Sequence, residues 1–248
     1  LHNFDPVDLE IIKQDWQTII DKIKAGEAHN ISEGDTMYLA ACTKGANAKS
    51  IRKQPFSNIP AKQRAFSLKS SYMSAFARRV IDRQLIPSLF NVDELKSKTT
   101  LQLLQERFAP YIGKRVSEIA KLVDIPVTKN KAFNANLISA VLGVKGTKLE
   151  SLREFSKANI KFKTIRLEPT GIPKEHMSFD FHRWVNDAWE DSQLYEKFEY
   201  TKYLFVVFQY DETEKENKNR EPYLKGIMLW NMPEVVIEHE LKDLWKTT

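Results

Sequence analysis

The stretch EFSKANIKFKTIRL, residues 154–167, decides how the second half of this chain is interpreted. Residues 160–163 alternate between apolar and charged side chains, which is the period of a β-strand with one face toward a core. On such a strand Lys161 and Lys163 share one face, while Ile160 and Phe162 share the other. The pattern predicts a strand over residues 160–167, preceded by a short segment that carries Glu154.

The same stretch matches the pattern of a metal-dependent nuclease strand, with one exchange. In such enzymes a first acidic residue precedes a strand that carries (Asp/Glu)-x-Lys. The two carboxylates bind Mg²⁺, and the lysine positions the attacking water or the charged phosphate. Glu154 can be the first acid and Lys163 the lysine, but Lys161 occupies the position of the second acid. An ammonium there would repel Mg²⁺ by several kcal/mol at an effective dielectric near 20. We therefore expect a degenerate site without bound metal, in which Glu154 is only a weak candidate ligand.

The composition indicates a globular chain of one large or two modest domains. It has 248 residues, 42% of them hydrophobic and 29% charged. The single cysteine, Cys42, excludes an internal disulfide and a cysteine-cluster zinc site. No apolar run approaches the roughly 18 residues of a membrane span, and no signal peptide opens the chain. We expect a cytoplasmic protein, and the missing initial Met suggests a fragment.

The distribution of charge is more informative than the net charge of +5. The 46 residues from Thr36 to Ile81 contain no Asp or Glu and nine Lys and Arg, while the rest of the chain holds 29 basic and 33 acidic residues. A solvated surface normally mixes both signs, whereas a long acid-free window is typical of a surface that binds a polyanion. The window predicts binding to nucleic acid.

The hydrophobic pattern divides the chain into two units. The first contains an amphipathic helix over 7–25 that ends at Gly26, a strand over 36–43, a basic turn-rich loop over 44–63, and an extended segment that continues into a helix up to residue 81. Residues 87–98 read as a linker. The second unit alternates helices with strands at 160–167, 203–210 and 223–230, which predicts an α/β (α+β) fold with a small mixed sheet.

A weak internal repeat connects the two ends of the chain. LHNFDPVDLEIIKQDW at the start and LWNMPEVVIEHELKDLW near the end both lead from Leu-x-Asn through acids and a proline to a Trp-terminated helix. Trp16 and Trp245 are the matching anchors. The repeat suggests a duplicated protein, cut so that the end of one copy precedes most of the next.

Three motifs of the first unit resemble the MutH-type endonucleases, with the duplicated GATC-cutting type II restriction endonucleases of the Sau type as the nearest group. They are IIKQDWQTIIDKIKAG, KGANAK and RAFSLKSSYMSAFARRV. In that family they form a C-terminal arm that reads GATC in the major groove. The resemblance implies that residues 1–86 are the DNA-reading arm of a first copy and that the chain is a C-terminal fragment. It matches the reading loop to Lys44, Gly45, Ala46 and Asn47, a methylation-sensing position to Ser67, and the lysine of the third motif to Lys69. The acid-free window adds as DNA-binding candidates Lys49, Arg52, Lys53, Lys62 and Arg64.

Residues 99–248 resemble the MutH catalytic core with its chemistry lost. IKFKTIRL is similar to the Glu-Leu-Lys-Thr strand of the family, and AWEDS to its Trp-Glu-Thr-Ser segment. The resemblance places the catalytic positions at Ser139, Glu154, Lys161 and Lys163. Lys131 matches a DNA-contacting lysine. It implies a restriction-endonuclease-like fold that is catalytically degenerate.

Together these observations favour a DNA-binding, non-cleaving effector portion of a type II restriction endonuclease that recognises GATC. The parent enzyme would use Mg²⁺, while this chain would bind none. The implied partners are DNA containing GATC, the catalytic copy of the same polypeptide and a second molecule that dimerises on DNA, with no membrane. Two alternatives stay open. An active Mg²⁺-dependent endonuclease would take displaced acids, such as Glu150, Glu168 or Glu190. A transcription regulator would use residues 116–143 as a helix-turn-helix.

Overall fold

The computed structural model describes residues 4–45, 50–82, 87–130, 132–177 and 188–247. The α-helices are α1 (Pro6–Lys24), α2 (Ser70–Asp82), α3 (Val92–Ser97), α4 (Thr100–Phe108), α5 (Val116–Leu122), α6 (Phe133–Val141), α7 (Arg153–Ala158), α8 (Gln193–Glu199), α9 (Glu234–Val236) and α10 (Lys242–Thr247), the last two joined by a π-helical turn over Ile237–Leu241. The strands are β1 (Leu39–Thr43), β2 (Ile51–Gln54), β3 (Ser57–Lys62), β4 (Arg64–Leu68), β5 (Ile160–Leu167), β6 (Lys202–Gln209) and β7 (Tyr223–Trp230). Across these ranges every helix is too short or too polar to span a lipid bilayer.

A three-stranded mixed sheet organises the second half of the chain. β5 runs parallel to β6, and β7 runs antiparallel to β6, so β6 is the central strand. The sequence of β6, KYLFVVFQ, is almost continuously apolar, as expected for a strand covered on both faces. The predicted mixed α/β character and the three predicted strands are confirmed, with β6 shifted by one residue.

The two faces of β5 have the surroundings that its alternation predicts. Ile160 is 1% exposed, and Phe162 packs against the main hydrophobic core. Lys161 and Lys163 lie on the opposite face and are exposed. The strand therefore separates a core-facing apolar row from a solvent-facing pair of lysines.

The acid-free window folds as two small antiparallel sheets, β1 with β4 and β2 with β3. The prediction of an irregular loop over residues 44–63 is wrong for residues 51–62, which form the β2–β3 hairpin. The buried Gln54 holds it, because its amide nitrogen donates to the Ile59 carbonyl at 2.6 Å and its amide oxygen accepts from the Ala28 N–H at 3.1 Å. A contact with a residue 26 positions away stabilises a hairpin whose own sequence is polar.

Gly26 ends the first helix and also supports the tip of this hairpin. Its φ of +77° is the left-handed conformation that glycine adopts after a helix, which confirms the predicted helix end. A Cβ atom at this position would lie 2.7 Å from the Phe56 carbonyl oxygen. Only glycine allows both the turn and this close approach of the hairpin.

Residues 87–98, predicted as a linker, are a packed part of the fold. They contain α3, and Leu89, Phe90 and Leu95 are at most 5% exposed. The Leu89 N–H donates to the Glu154 carboxylate at 2.9 Å. Because its apolar side chains enter the core and its backbone is bound by α7, the segment does not act as a flexible tether.

The two predicted units share one hydrophobic core. Ile11, Tyr38 and Tyr72 from residues 1–86 belong to the same buried cluster as Leu104 and Leu204. The predicted boundary between residues 1–86 and 99–248 therefore does not coincide with a break in the core. That either segment is a domain in its own right stays a prediction.

Ion pairs also cross this boundary. Asp8 of α1 is 2% exposed and pairs with Arg153 at 2.9 Å and with Lys157, both on α7. The Tyr72 hydroxyl of α2 donates to the same carboxylate at 3.0 Å. Since a buried carboxylate without partners is costly, these contacts fix α1 and α2 against α7.

Asp15 of α1 organises the entry into β1. Its carboxylate is 4% exposed and accepts the backbone N–H groups of Met37 at 2.7 Å, Tyr38 at 2.6 Å and Leu39 at 2.9 Å. The buried Lys69 follows β4, and its ammonium donates to the Thr36 carbonyl at 2.7 Å. One acid and one lysine thus hold the ends of the β1–β4 pair against the first helix.

We predict that Asp15→Ala strongly destabilises the fold. Three buried N–H groups lose their acceptor, at roughly 1–3 kcal/mol each, so the free energy of unfolding should fall by about 3 kcal/mol or more. Urea unfolding followed by circular dichroism measures this change. Asp21→Ala is the matched control, because Asp21 lies on the same helix and is exposed. Equal losses in the two variants would contradict the assigned role.

Candidate nucleic-acid interface

Among the exposed cations of the acid-free window, three lie on β2 or directly after β1. Arg52 and Lys53 are exposed on β2, and Lys44 is exposed directly after β1. Within the described ranges none of the three makes an ion pair with the rest of the chain. Unpaired cations close together on a strand and a loop are suited to contact phosphate groups.

The loop that carries Lys44 is closed at its base by Gln63. The Lys44 N–H donates to the Gln63 carbonyl at 2.6 Å, and the Gln63 N–H donates to the Ser50 carbonyl at 3.0 Å. Gly45 has a φ of +142°, a conformation that L-residues rarely adopt. Ala46, Asn47 and Lys49, predicted to belong to this interface, lie outside the described residues, as does Lys131.

Two other candidates from the window are already paired with carboxylates. The Lys62 ammonium lies 2.7 Å from Glu234 and 2.6 Å from Glu238. The Arg64 guanidinium lies 3.2 Å from Glu234 and 3.8 Å from Glu199, and it donates to the Ala41 carbonyl at 2.7 Å. In this conformation both side chains fix the window against α8 and α9 rather than face solvent.

Lys69 and Ser67 also occupy defined positions in the fold. Lys69 is 4% exposed, and burial lowers the pKa of its ammonium, while Asp15 and Glu33 oppose the shift. Its ammonium therefore does not reach a surface where DNA could bind. Ser67 lies on β4 opposite Ala40 and is partly exposed. Its predicted role at a methylation-sensing position stays a prediction.

Glu154, the first acid of the degenerate site, has both oxygens engaged inside the protein. It is fully buried on α7, where one oxygen accepts from the Ser88 hydroxyl and the other from the Leu89 N–H. Ser139 on α6 is 2% exposed, and its hydroxyl donates to the Thr147 carbonyl at 2.8 Å. Both positions serve the packing of the core.

The two lysines of β5 lie elsewhere. Lys161 is beside Tyr203 of β6 and Lys163 is beside Phe205, on the face of the sheet that is turned away from the main core. Ser139 and Glu154 are buried in the core, whereas Lys161 and Lys163 are exposed. The four catalytic positions of the resemblance therefore do not converge. The donor set does not suit Mg²⁺, which needs free carboxylate oxygens.

Of the displaced acids in the alternative nuclease hypothesis, one is exposed and two are paired with basic side chains. Glu150 is exposed on a 3-10 turn, and Glu190 lies 3.4 Å from Lys242. Glu168 accepts two hydrogen bonds of 2.6 Å from Arg220. Among the residues that the structure describes, no group of three or more His, Cys, Asp and Glu could hold a metal ion.

The counter-ions of Lys62 and Arg64 were not predicted from the sequence. Glu199 and Glu234 are 1% and 4% exposed and lie more than a hundred residues from the window that they bind. Burial raises the pKa of Glu199 well above its usual value, and the neighbouring Glu234 adds to the shift. Arg64 and the Glu33 N–H oppose it. No local sequence pattern marks these acids, because only the tertiary fold brings them to the window.

Comparison with known proteins places these features in context. No protein-family model matches the chain. The chain is similar to the type II restriction enzyme Sau3AI of Staphylococcus aureus, with 38% identity over 260 aligned residues. The alignment covers 98% of this chain and 52% of the relative. The chain thus spans about half the length of the curated relative that it matches.

We predict that Glu199 makes stability depend on pH. Between the ordinary glutamate pKa of 4.5 and the raised pKa of Glu199, the folded protein binds more protons than the unfolded chain, so the free energy of unfolding falls as pH rises. Glu199→Gln cannot ionise and keeps an acceptor for the Glu33 N–H, so it should make this decline shallower. Burial also raises the pKa values of Asp15 and Glu33, which leaves part of the decline in place. Urea unfolding from about pH 5 to about pH 9 measures it.

Glu196→Gln is the control for this experiment, because Glu196 lies on the same helix and is exposed. It should keep the pH dependence of the unsubstituted protein. An unchanged decline in Glu199→Gln would show that this carboxyl is ionised in the folded state throughout the range.

Proposed function

The chain belongs to the same family as the type II restriction enzyme Sau3AI, and from this premise we propose that it is the DNA-binding, non-cleaving effector portion of such an enzyme. Its residues 99–248 would be a MutH-like endonuclease domain that has lost catalysis. The recognised sequence would be GATC, and the partners would be double-stranded DNA and the catalytic copy of the same polypeptide. The parent enzyme would use Mg²⁺.

The loss of catalysis rests on Lys161. It occupies the second acid position of the nuclease pattern and presents an ammonium where a carboxylate would bind Mg²⁺. The remaining acid, Glu154, is hydrogen-bonded by Ser88 and Leu89 and is fully buried. A lysine and an engaged carboxylate supply no adequate ligand set, so the metal-dependent step would have to occur in another part of the enzyme.

Binding to DNA is supported by the placement of free cations. Lys44, Arg52 and Lys53 are exposed on a loop and a hairpin that share Gln63 at their base. No carboxylate belongs to the window that forms these elements. A surface of this kind attracts the phosphate backbone and releases its counter-ions.

Recognition of GATC is supported by the chemistry of the loop at Lys44. A lysine can donate to the O6 and N7 acceptors of guanine in the major groove. Gly45 beside it has no side chain and adopts a conformation that opens the backbone to a close approach. Lys44 would therefore contribute selectivity, and Arg52 on the hairpin would contribute affinity without selectivity.

We predict that this chain alone does not cut DNA. Plasmid containing GATC, incubated with the purified chain and Mg²⁺ or Mn²⁺, should remain supercoiled because no carboxylate pair holds the metal. Gel electrophoresis measures the cut fraction, and Glu154→Gln should be indistinguishable from the unsubstituted chain. Cleavage that Glu154→Gln abolishes would instead favour the active nuclease.

We predict that Lys44→Ala and Arg52→Ala weaken DNA binding in different ways. Lys44→Ala should cost about 1–3 kcal/mol on a GATC duplex and much less on a scrambled duplex. Arg52→Ala should weaken both duplexes equally and reduce the slope of log K against log salt by about 1. Fluorescence anisotropy titrations at several salt concentrations measure both effects. Equal losses on both duplexes for Lys44→Ala would make this residue a phosphate contact.

A further inference from the structure

The β2–β3 hairpin displays apolar side chains that the fold does not use. Ile51 and Phe56 are each 60% exposed, and Ile59 is 52% exposed. Phe56 lies in the two-residue turn between the strands, at the end of the hairpin. Several exposed large apolar groups on one short element often mark a binding site, and none of these three belongs to a buried cluster of the described residues.

The hairpin is held firmly in spite of this exposure. The buried Gln54 bonds to Ile59 and Ala28, and its amide nitrogen also lies 3.1 Å from His29 Nδ1. The turn at Phe56 rests on Gly26, which leaves no space for a Cβ atom. These contacts hold the backbone that carries the Phe56 ring, so little backbone conformational freedom is lost when the ring binds.

Charge indicates what the hairpin binds. Arg52 and Lys53 are exposed beside the apolar residues, and the hairpin carries no acid. It also adjoins the loop of Lys44, since Gln63 at the end of the hairpin bonds to both ends of that loop. A duplex that touches Lys44 would therefore lie next to the hairpin. Proteins that bind the minor groove combine such apolar side chains with cations to unstack base steps.

We propose that Phe56 is a wedge that enters the DNA duplex and unstacks one base step, with Arg52 and Lys53 holding the adjacent phosphates. This inference rests on the proposed function, because it assumes that DNA binds at the Lys44 loop. It goes beyond that function by assigning a local distortion of the duplex to one aromatic side chain.

Duplexes with a single 2-aminopurine test the wedge. The probe is placed in turn at the GATC adenine and at each of the flanking positions, because its fluorescence rises when the base is unstacked. The unsubstituted chain should raise the signal at one position or at two neighbouring ones. Phe56→Ala should abolish that rise and weaken binding about tenfold through the loss of one base–aromatic stack, while leaving the salt slope unchanged.

Matched variants show whether the effect belongs to the ring of Phe56. Phe4 is 47% exposed and lies outside the acid-free window, so Phe4→Ala should behave as the unsubstituted chain. Phe56→Trp keeps a large ring and should retain the fluorescence rise. Circular dichroism should show that all three variants fold, because both phenylalanines are exposed.

The outcomes separate this inference from the proposed function. If the unsubstituted chain fails to bind any duplex, the proposed function is wrong. If it binds, but Phe56→Ala gives the same affinity and the same fluorescence, the wedge is wrong and DNA binding stands. If Phe56→Ala alters only the molar mass measured by light scattering, the hairpin packs against another protein molecule, and the wedge is again wrong.

Discussion

The carboxylate of Asp15 is the contact on which the placement of β1 and β4 depends. It gathers three consecutive N–H groups, and the fold then places β1 beside the first helix. Part of the exposed surface of the window is built on that strand, because the Lys44 loop follows it and β4 pairs with it. A buried carboxylate is costly unless donors satisfy it, so the contribution of Asp15 depends on the backbone donors that it gathers. The strand that leads into the Lys44 loop is therefore held against α1 by buried hydrogen bonds.

Under the proposed function, the positions of the degenerate site illustrate how a chain can retain residues after their original chemistry is gone. Under the proposed function, Glu154 no longer binds metal but holds the segment at Ser88 and Leu89, and Ser139 bonds to Thr147. Such contacts keep an acid in place for reasons of stability. An acidic residue at an expected catalytic position is therefore poor evidence for catalysis unless its oxygens are free to bind a ligand.

In the folded protein some cations of the acid-free window are paired with carboxylates and others are exposed to solvent. The absence of acids over residues 36–81 suggested one continuous binding surface. Folding turns Lys62 and Arg64 toward Glu234 and leaves Arg52 and Lys53 in solvent. Charge counted along the chain thus overstates the charge that a ligand meets, because acids from the far end of the sequence neutralise part of it.

The sequence alone determined the strands of the mixed sheet, the first helix with its end at Gly26, and the exchange at Lys161. These depend on local periodicity, on glycine conformation and on residue identity, all of which are readable along the chain. The hairpin at Gln54 and the packed segment at residues 87–98 were decided only by tertiary structure. Their stability comes from partners far away in sequence, such as Ala28 and Glu154, and no local pattern records which distant groups will meet.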